Sequence, residues 1–123
     1  MGLTYARIAV SGLHGGPSRA VSLLVDTGSH YLMLPRKLLR ELGVRPVRRE
    51  EFELANGRKI LRDVGIVFLR FRKRLTASDV IFGGPRDSQV LGVIALEQLG
   101  YQVDPVHHRL RKAKRLLVVA RAT

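Results

Sequence analysis

The run Leu23-Leu24-Val25-Asp26-Thr27-Gly28-Ser29 decides how the rest of the chain is read. Its three apolar residues have the character of a buried strand, and the glycine two places beyond the acid takes a tight turn that a β-carbon would hinder. A carboxylate is thereby held at a strand end. Taken alone, an aspartate in that setting is an ordinary turn residue, because its side chain bonds nearby backbone. Its chemistry has to be decided by what surrounds it.

Upstream, Tyr5-Ala6-Arg7-Ile8-Ala9-Val10 alternates as a half-buried strand does. Gly12, Gly15, Gly16 and Pro17 then supply turn chemistry before Ala20 to Val25 resumes extension, which predicts an opening hairpin. The glycines of that turn lack the lysine and the strand-to-helix context of a phosphate loop. Downstream, Pro35 suits the start of a short helix, Leu38, Leu39 and Leu42 share one face, and Gly43 ends it. Arg36, Lys37 and Arg40 are left for solvent.

Glu50–Leu54 and Ile60–Phe71 read as extended, with Asn56-Gly57 between them as the strongest two-residue hairpin signal in the chain. A turn at Arg72-Lys73-Arg74 leads to the extended run Thr76–Phe82, closed by Gly83-Gly84-Pro85. Val90-Leu91-Gly92 is a short apolar strand, and Val93, Ile94, Leu96, Glu97 and Leu99 have helical spacing up to the stop at Gly100. After the basic segment Arg109–Arg115, Leu116–Ala120 is apolar enough for a terminal strand. These expectations amount to a mainly β, all-β-class fold with two short helices, organised as one domain over residues 1–123.

With 123 residues, 46% of them apolar, the chain is long enough to build a core without staples. It has no cysteine, which removes disulfides, thiolate metal sites and cysteine nucleophiles together. No apolar run approaches membrane-spanning length and the N-terminus lacks a signal-peptide pattern, so the expectation is a soluble, cytoplasmic protein with no membrane partner. The formal net charge of +12 favours acidic partners and says nothing about fold. A basic module using Arg70, Arg72, Lys73, Arg74 and the Arg109–Arg115 segment is therefore one reading. Few aromatics, no tryptophan and no nucleic-acid motif argue against nucleic acid as the partner. Adjacent His107 and His108 point to opposite sides of an extended chain, and no metal or other cofactor is expected. Asp63, Asp79, Asp87 and Asp104 belong to no second Asp-Thr-Gly and read as turn or surface residues.

The succession of Asp26-Thr27-Gly28-Ser29, the Leu34–Gly43 helix, the Ala55-Asn56-Gly57-Arg58 hairpin and Val90-Leu91-Gly92 leading into Leu96–Gly100 resembles the retropepsin-like (clan AA) aspartic proteases. The likeness is to their short, single-domain cellular type and spans nearly the whole chain. It implies a closed β-barrel, half of an acid protease, that is active as a homodimer on a polypeptide substrate, with acidic substrates favoured by the charge. Peptide hydrolysis of this kind needs two carboxylates on one water, one ionised and one protonated, and such a pair shares a proton and titrates as a unit. One motif per chain thus implies two chains across a two-fold axis.

By the same resemblance Asp26 is the catalytic acid, and Thr27 bonds across the dimer axis. The Gly28 carbonyl contacts substrate, and the Ser29 hydroxyl bonds the carboxylate. Ala55, Asn56 and Gly57 form the tip of a flap that closes over substrate, and Leu91 and Gly92 support the active-site loop. His30 departs from the acidic residue that viral members often carry there. The terminal Leu116–Ala120 segment is the candidate dimer strand. A catalytically silent dimerisation domain is the remaining alternative.

Overall fold

The computed structural model describes residues 2–114 together with Leu117 and Val119. Strands β1 (Tyr5–Ser11) and β2 (Ser18–Val25) pair antiparallel from Tyr5↔Leu24 to Ser11↔Ser18. Alternation puts Ala6, Ile8 and Val10 of one, and Val21, Leu23 and Val25 of the other, into the core. Gly15 and Gly16, both with positive φ, make the turn between them.

The chain continues through β3 (Leu32–Pro35), α1 (Arg36–Glu41), β4 (Arg48–Glu53), β5 (Lys59–Phe71), β6 (Arg74–Gly83) and β7 (Val90–Leu91). It then forms α2 (Val93–Leu99), β8 (Tyr101–Asp104) and β9 (Arg109–Lys112). One seven-stranded sheet has the order β1-β2-β7-β3-β6-β5-β4. Because β1 also pairs with β5 through Ala9↔Arg70, Val10↔Leu69 and Ser11↔Phe68, the sheet closes on itself as a barrel and leaves β4 outside the ring. Ile8, Leu23, Leu34, Leu39, Leu69 and Phe82 fill the interior, each burial contributing about 1.5–3 kcal/mol.

Helix α1 buries Leu38 and Leu39, and Leu42 follows them into the core. Pro35 ends β3 in an extended conformation and caps the helix, while Gly43 turns the chain at φ +76. Helix α2 stops at Gly100, left-handed at φ +80, as its sequence predicts.

The β4–β5 hairpin is the predicted projection, but its turn is not a two-residue one. Gly57 N–H donates to the Leu54 carbonyl (2.9 Å) and Leu54 N–H to the Arg58 carbonyl (2.7 Å). The loop is therefore a three-residue turn with a bulge. Only Gly57 is left-handed there, and the Asn56 side chain instead accepts Arg58 N–H at 2.9 Å.

Two elements have no counterpart in the sequence reading. Strand β3 lies parallel to β6, from Leu32↔Val80 to Pro35↔Gly83. The β8–β9 hairpin docks on the barrel through buried Tyr101 and Leu110, with Tyr101 edge-on to Phe71 at 4.9 Å. Asp104 closes that hairpin's turn by accepting the backbone N–H groups of Val106 and His107, and it pairs with the His107 ring at 2.8 Å. Asp104 is a turn residue as read, yet buried. The expected strand at Leu116–Ala120 falls largely outside the described residues. Among these, no helix is long and apolar enough to cross a membrane.

Candidate active site

Strand β7 lies between β2 and β3, parallel to the first (Leu24↔Val90, Val25↔Leu91) and bridged antiparallel to the second at Met33↔Val90. The loop from Asp26 to Tyr31 must therefore arch over the end of β7. Asp26 N–H donates to the Leu91 carbonyl at 3.1 Å, and Val25 N–H to the Thr4 carbonyl at 2.8 Å. On the far side of the arch, the Ser29 and His30 carbonyls accept the N–H groups of Val93 and Ile94 at 2.8 and 3.2 Å. Those N–H groups open α2 and have no partner within the helix, so loop and helix satisfy each other.

Gly92 allows this closeness. A Cβ there would lie 2.5 Å from both the nitrogen and the oxygen of Tyr31 and 2.6 Å from the His30 carbonyl carbon.

Within the loop, Ser29 N–H donates to the Asp26 carbonyl (3.1 Å) and Gly28 N–H to Asp26 Oδ1 (2.9 Å). The carboxylate is thus oriented by its own turn while remaining exposed to solvent with Thr27 and Gly28. Gly28 does not have a positive φ; a Cβ there would meet Asp26 Oδ1 at 3.2 Å and push the carboxylate by a few tenths of an ångström. Ser29 serves the loop through its backbone; among the described residues its hydroxyl makes no hydrogen bond to Asp26.

Beside the loop lies a concavity of about 520 Å³, bounded by Gly28 and Ser29 on one side and by the β4–β5 hairpin as far as Ala55 on the other. Met33, Ile60 and Ile81 give it an apolar floor. Tyr31 and Phe52 meet edge to face at 5.3 Å, joining the Asp26 loop to the hairpin. Its acids are Glu51, Glu53 and Asp87 and its one cation is Arg62. Arg62 Nε donates to Asp87 Oδ2 at 3.2 Å, and Gly84 N–H donates to the same oxygen at 2.7 Å. The Gly84 bond first, and then Arg62, holds the Asp87 carboxyl below its ordinary range against the opposing effect of burial.

The sequence profile described as aspartyl protease matches residues 8–94, well over half of the chain, and includes the Asp26 loop, the hairpin and β7. The chain belongs to the aspartyl protease family. Among solved structures it is similar to the EIAV protease complexed with the inhibitor HBY-793, with a TM-score of 0.62 at 15% identity over 94% of both chains. The simian foamy virus (mac) protease aligns at 17% identity over 76% of this chain and 94% of that one, with a TM-score of 0.48. The first of these likenesses is one of fold. No curated protein sequence gives a significant match.

The aspartyl protease fold gathers Asp26, Gly28, Ser29, Leu91 and Gly92 into one hydrogen-bonded, close-packed unit, with Thr27 exposed in the same turn. Ala55 reaches the concavity, whereas Asn56 and Gly57 stand at the hairpin tip outside its lining. Sequence reasoning missed Tyr31, Phe52 and the Arg62–Asp87 pair. A local signal did exist for Phe52, the only apolar side chain between Arg48 and Glu53. No group of histidines and acids among the described residues is arranged to hold a metal ion.

Proposed function

We propose that this aspartyl protease is an endopeptidase whose active site forms when two chains bring their Asp26 carboxylates together, and that residues 1–123 act as one domain. The observation that carries the proposal is the Asp26 turn. One carboxylate oxygen is held by Gly28 N–H, the backbone is tied to Leu91, and the acid opens to solvent beside a cleft of substrate size.

In the proposed reaction the ionised carboxylate takes a proton from the shared water as its oxygen bonds the peptide carbon. The protonated partner carboxyl gives its proton to the carbonyl oxygen. Collapse of the tetrahedral intermediate breaks the C–N bond, and a carboxyl proton passes to the leaving nitrogen. Thr27, which follows the acid in the exposed turn, has the proposed role of bonding across the dimer axis. The Ala55-Asn56-Gly57 tip is the flap that excludes water, with Gly57 as its left-handed pivot.

Substrate lies extended between loop and hairpin with an apolar side chain over Met33, Ile60 and Ile81. Glu51 and Glu53 at that cleft favour neighbouring positive charge on the substrate, the reverse of the preference expected from net charge alone.

The test is cleavage of an unstructured peptide library by parent and Asp26→Asn proteins, with molecular mass followed by sedimentation. The parent cleaves, and the variant keeps the same mass and loses cleavage. Equal cleavage by the Asp26→Asn protein contradicts the proposal.

A further inference from the structure

Two basic segments that are far apart in the chain meet at one end of the barrel. The β5–β6 turn contributes Arg72, Lys73 and Arg74, and the end of β9 contributes Lys112, around a concavity of about 410 Å³. Leu99, Gly100, Tyr101 and Ala113 complete its lining, which contains no acid. Arg70, Arg109, Arg111 and Lys114 extend the same charge along the two hairpins, all exposed. None of these eight cations forms a salt bridge among the described residues, whereas Arg19, Arg36, Arg48, Lys59 and Arg62 do.

Arg72 distinguishes this surface from a merely solvated one. Its φ of +56 lies in the left-handed region, where a residue with a β-carbon is disfavoured and glycine or asparagine is usual. Its guanidinium nevertheless sits over the rings of Phe71 and Tyr101, at 4.9 and 5.4 Å from their centroids. Stacking fixes the cation and leaves its N–H edges free to donate, so little side-chain freedom is lost when an anion binds. A charged side chain kept on unfavourable backbone, and pre-oriented by two aromatics, points to use.

The site is separate from the Asp26 cleft. Strand β5 carries Arg62, which lines that cleft, and ends at Phe71, at most roughly 30 Å further along at about 3.3 Å per residue.

We infer that this basic end binds the phosphodiester backbone of nucleic acid without regard to base sequence. Eight exposed cations over two adjacent hairpins exceed what one small anion can engage, so the ligand is a linear polyanion. A phosphodiester chain carries a charge at every residue and releases condensed counterions when cations replace them, which gives affinity without shape recognition. Phe71 and Tyr101 are covered by Arg72 and offer no face to a base, which is why the binding is to backbone alone. The absence of a nucleic-acid motif in the sequence is consistent with that mode.

The test is fluorescence anisotropy of a labelled mixed-sequence single-stranded oligonucleotide titrated with the full chain at several salt concentrations. With the four pocket cations engaged, the slope of log K against log salt is about −2.8, four phosphates at roughly 0.7 each, so a fourfold rise in salt weakens binding about fifty-fold. Arg72→Gly with Lys112→Ala brings the slope to about −1.4, two phosphates fewer. Glycine suits the left-handed backbone, which keeps the turn intact; Lys73→Ala with Arg74→Ala is the second variant and gives the same reduction. Lys37→Ala with Arg40→Ala, on the exposed face of α1, leaves the slope unchanged. The Asp26→Asn protein binds as the parent does, so the result stands apart from proteolysis. No binding at low salt, or equal weakening by the α1 variant, overturns the inference. Poly-glutamate competing as well as the oligonucleotide also overturns it and identifies an acidic polypeptide as the partner.

Discussion

Replacing Gly92 with alanine separates two reasons for which a chain keeps a glycine. The backbone there, at φ −83 and ψ 177, is extended and accepts any residue, so alanine brings no conformational penalty. Alanine would in fact stabilise by about 0.4–1 kcal/mol through the unfolded chain. Space is what the site refuses. The new Cβ would lie 2.5 Å from the nitrogen and oxygen of Tyr31, which are backbone atoms and cannot rotate away. Relief requires the His30–Tyr31 segment to move outward by about 1 Å, and overpacking of this kind costs about 1–3 kcal/mol.

The expected net loss is about 1–2 kcal/mol, a fall of roughly 4–8 °C in melting temperature for a domain near this size. The larger consequence is functional, because the His30 carbonyl in the displaced segment accepts Ile94 N–H and the adjoining Ser29 carbonyl accepts Val93 N–H, the two bonds that hold the Asp26 arch. A misplacement of about 1 Å costs on the order of a hundredfold in turnover. Calorimetry gives the first quantity and peptide cleavage at matched dimer concentration the second. Gly57→Ala is the contrasting control. Nothing lies within 4 Å of its Cβ position, and φ +85 makes the cost purely conformational, about 1 kcal/mol. If Gly92→Ala protein melts and cleaves as the parent does, the packing argument for the loop is wrong.

Three further outcomes follow from the cleft and the assembly. Glu53→Lys reverses a charge at the rim of the cleft beside Asp26; if substrate binds there as proposed, the relative rates for peptides with positive and negative flanks shift toward the negative ones by about 1 kcal/mol, roughly fivefold in kcat/KM, an effect that fades with added salt. Unchanged ratios for matched peptides would remove Glu53 from specificity. Asp87 has a folded pKa below its ordinary 3.8, so its stabilisation is complete above that value and disappears as pH falls through the folded pKa. Urea denaturation of Asp87→Asn should show a loss of about 1–2 kcal/mol at neutral pH that vanishes in strong acid, and a constant difference would contradict the linkage. Dilution should lower specific activity as dimers dissociate, and activity per chain that stays constant across the dissociation range seen by sedimentation would dismiss the shared site.

How much of this was readable from the residues depended on how far apart the interacting partners lie. Strands β1, β2, β5 and β6 and both helices announce themselves by alternation or helical spacing, because each buries one face against the barrel. Strand β3 does not: its four residues are too few to display a period, and its pairing with β6 is parallel and remote. The β8–β9 hairpin was hidden because charged residues dominate β9 and its turn puts His108, not glycine, at positive φ. The same distinction runs through the site. Asp26, Gly28 and Ser29 form a local turn and could be read as a unit, while Arg62–Asp87 joins residues 25 apart and Tyr31–Phe52 joins the Asp26 loop to strand β4.

Charge is where composition says least about place. A total of +12 suggests attraction for acids everywhere, yet the fold sets Glu51, Glu53 and Asp87 around the cleft and gathers Arg72, Lys73, Arg74 and Lys112 around a concavity at the far end of β5. Over at most roughly 30 Å, a few Debye lengths at physiological salt, the two regions act on their ligands largely independently. Salt should therefore weaken polyanion binding at one end steeply, through counterion release, while altering cleavage of charged peptides at the other only through the few charges that line the cleft.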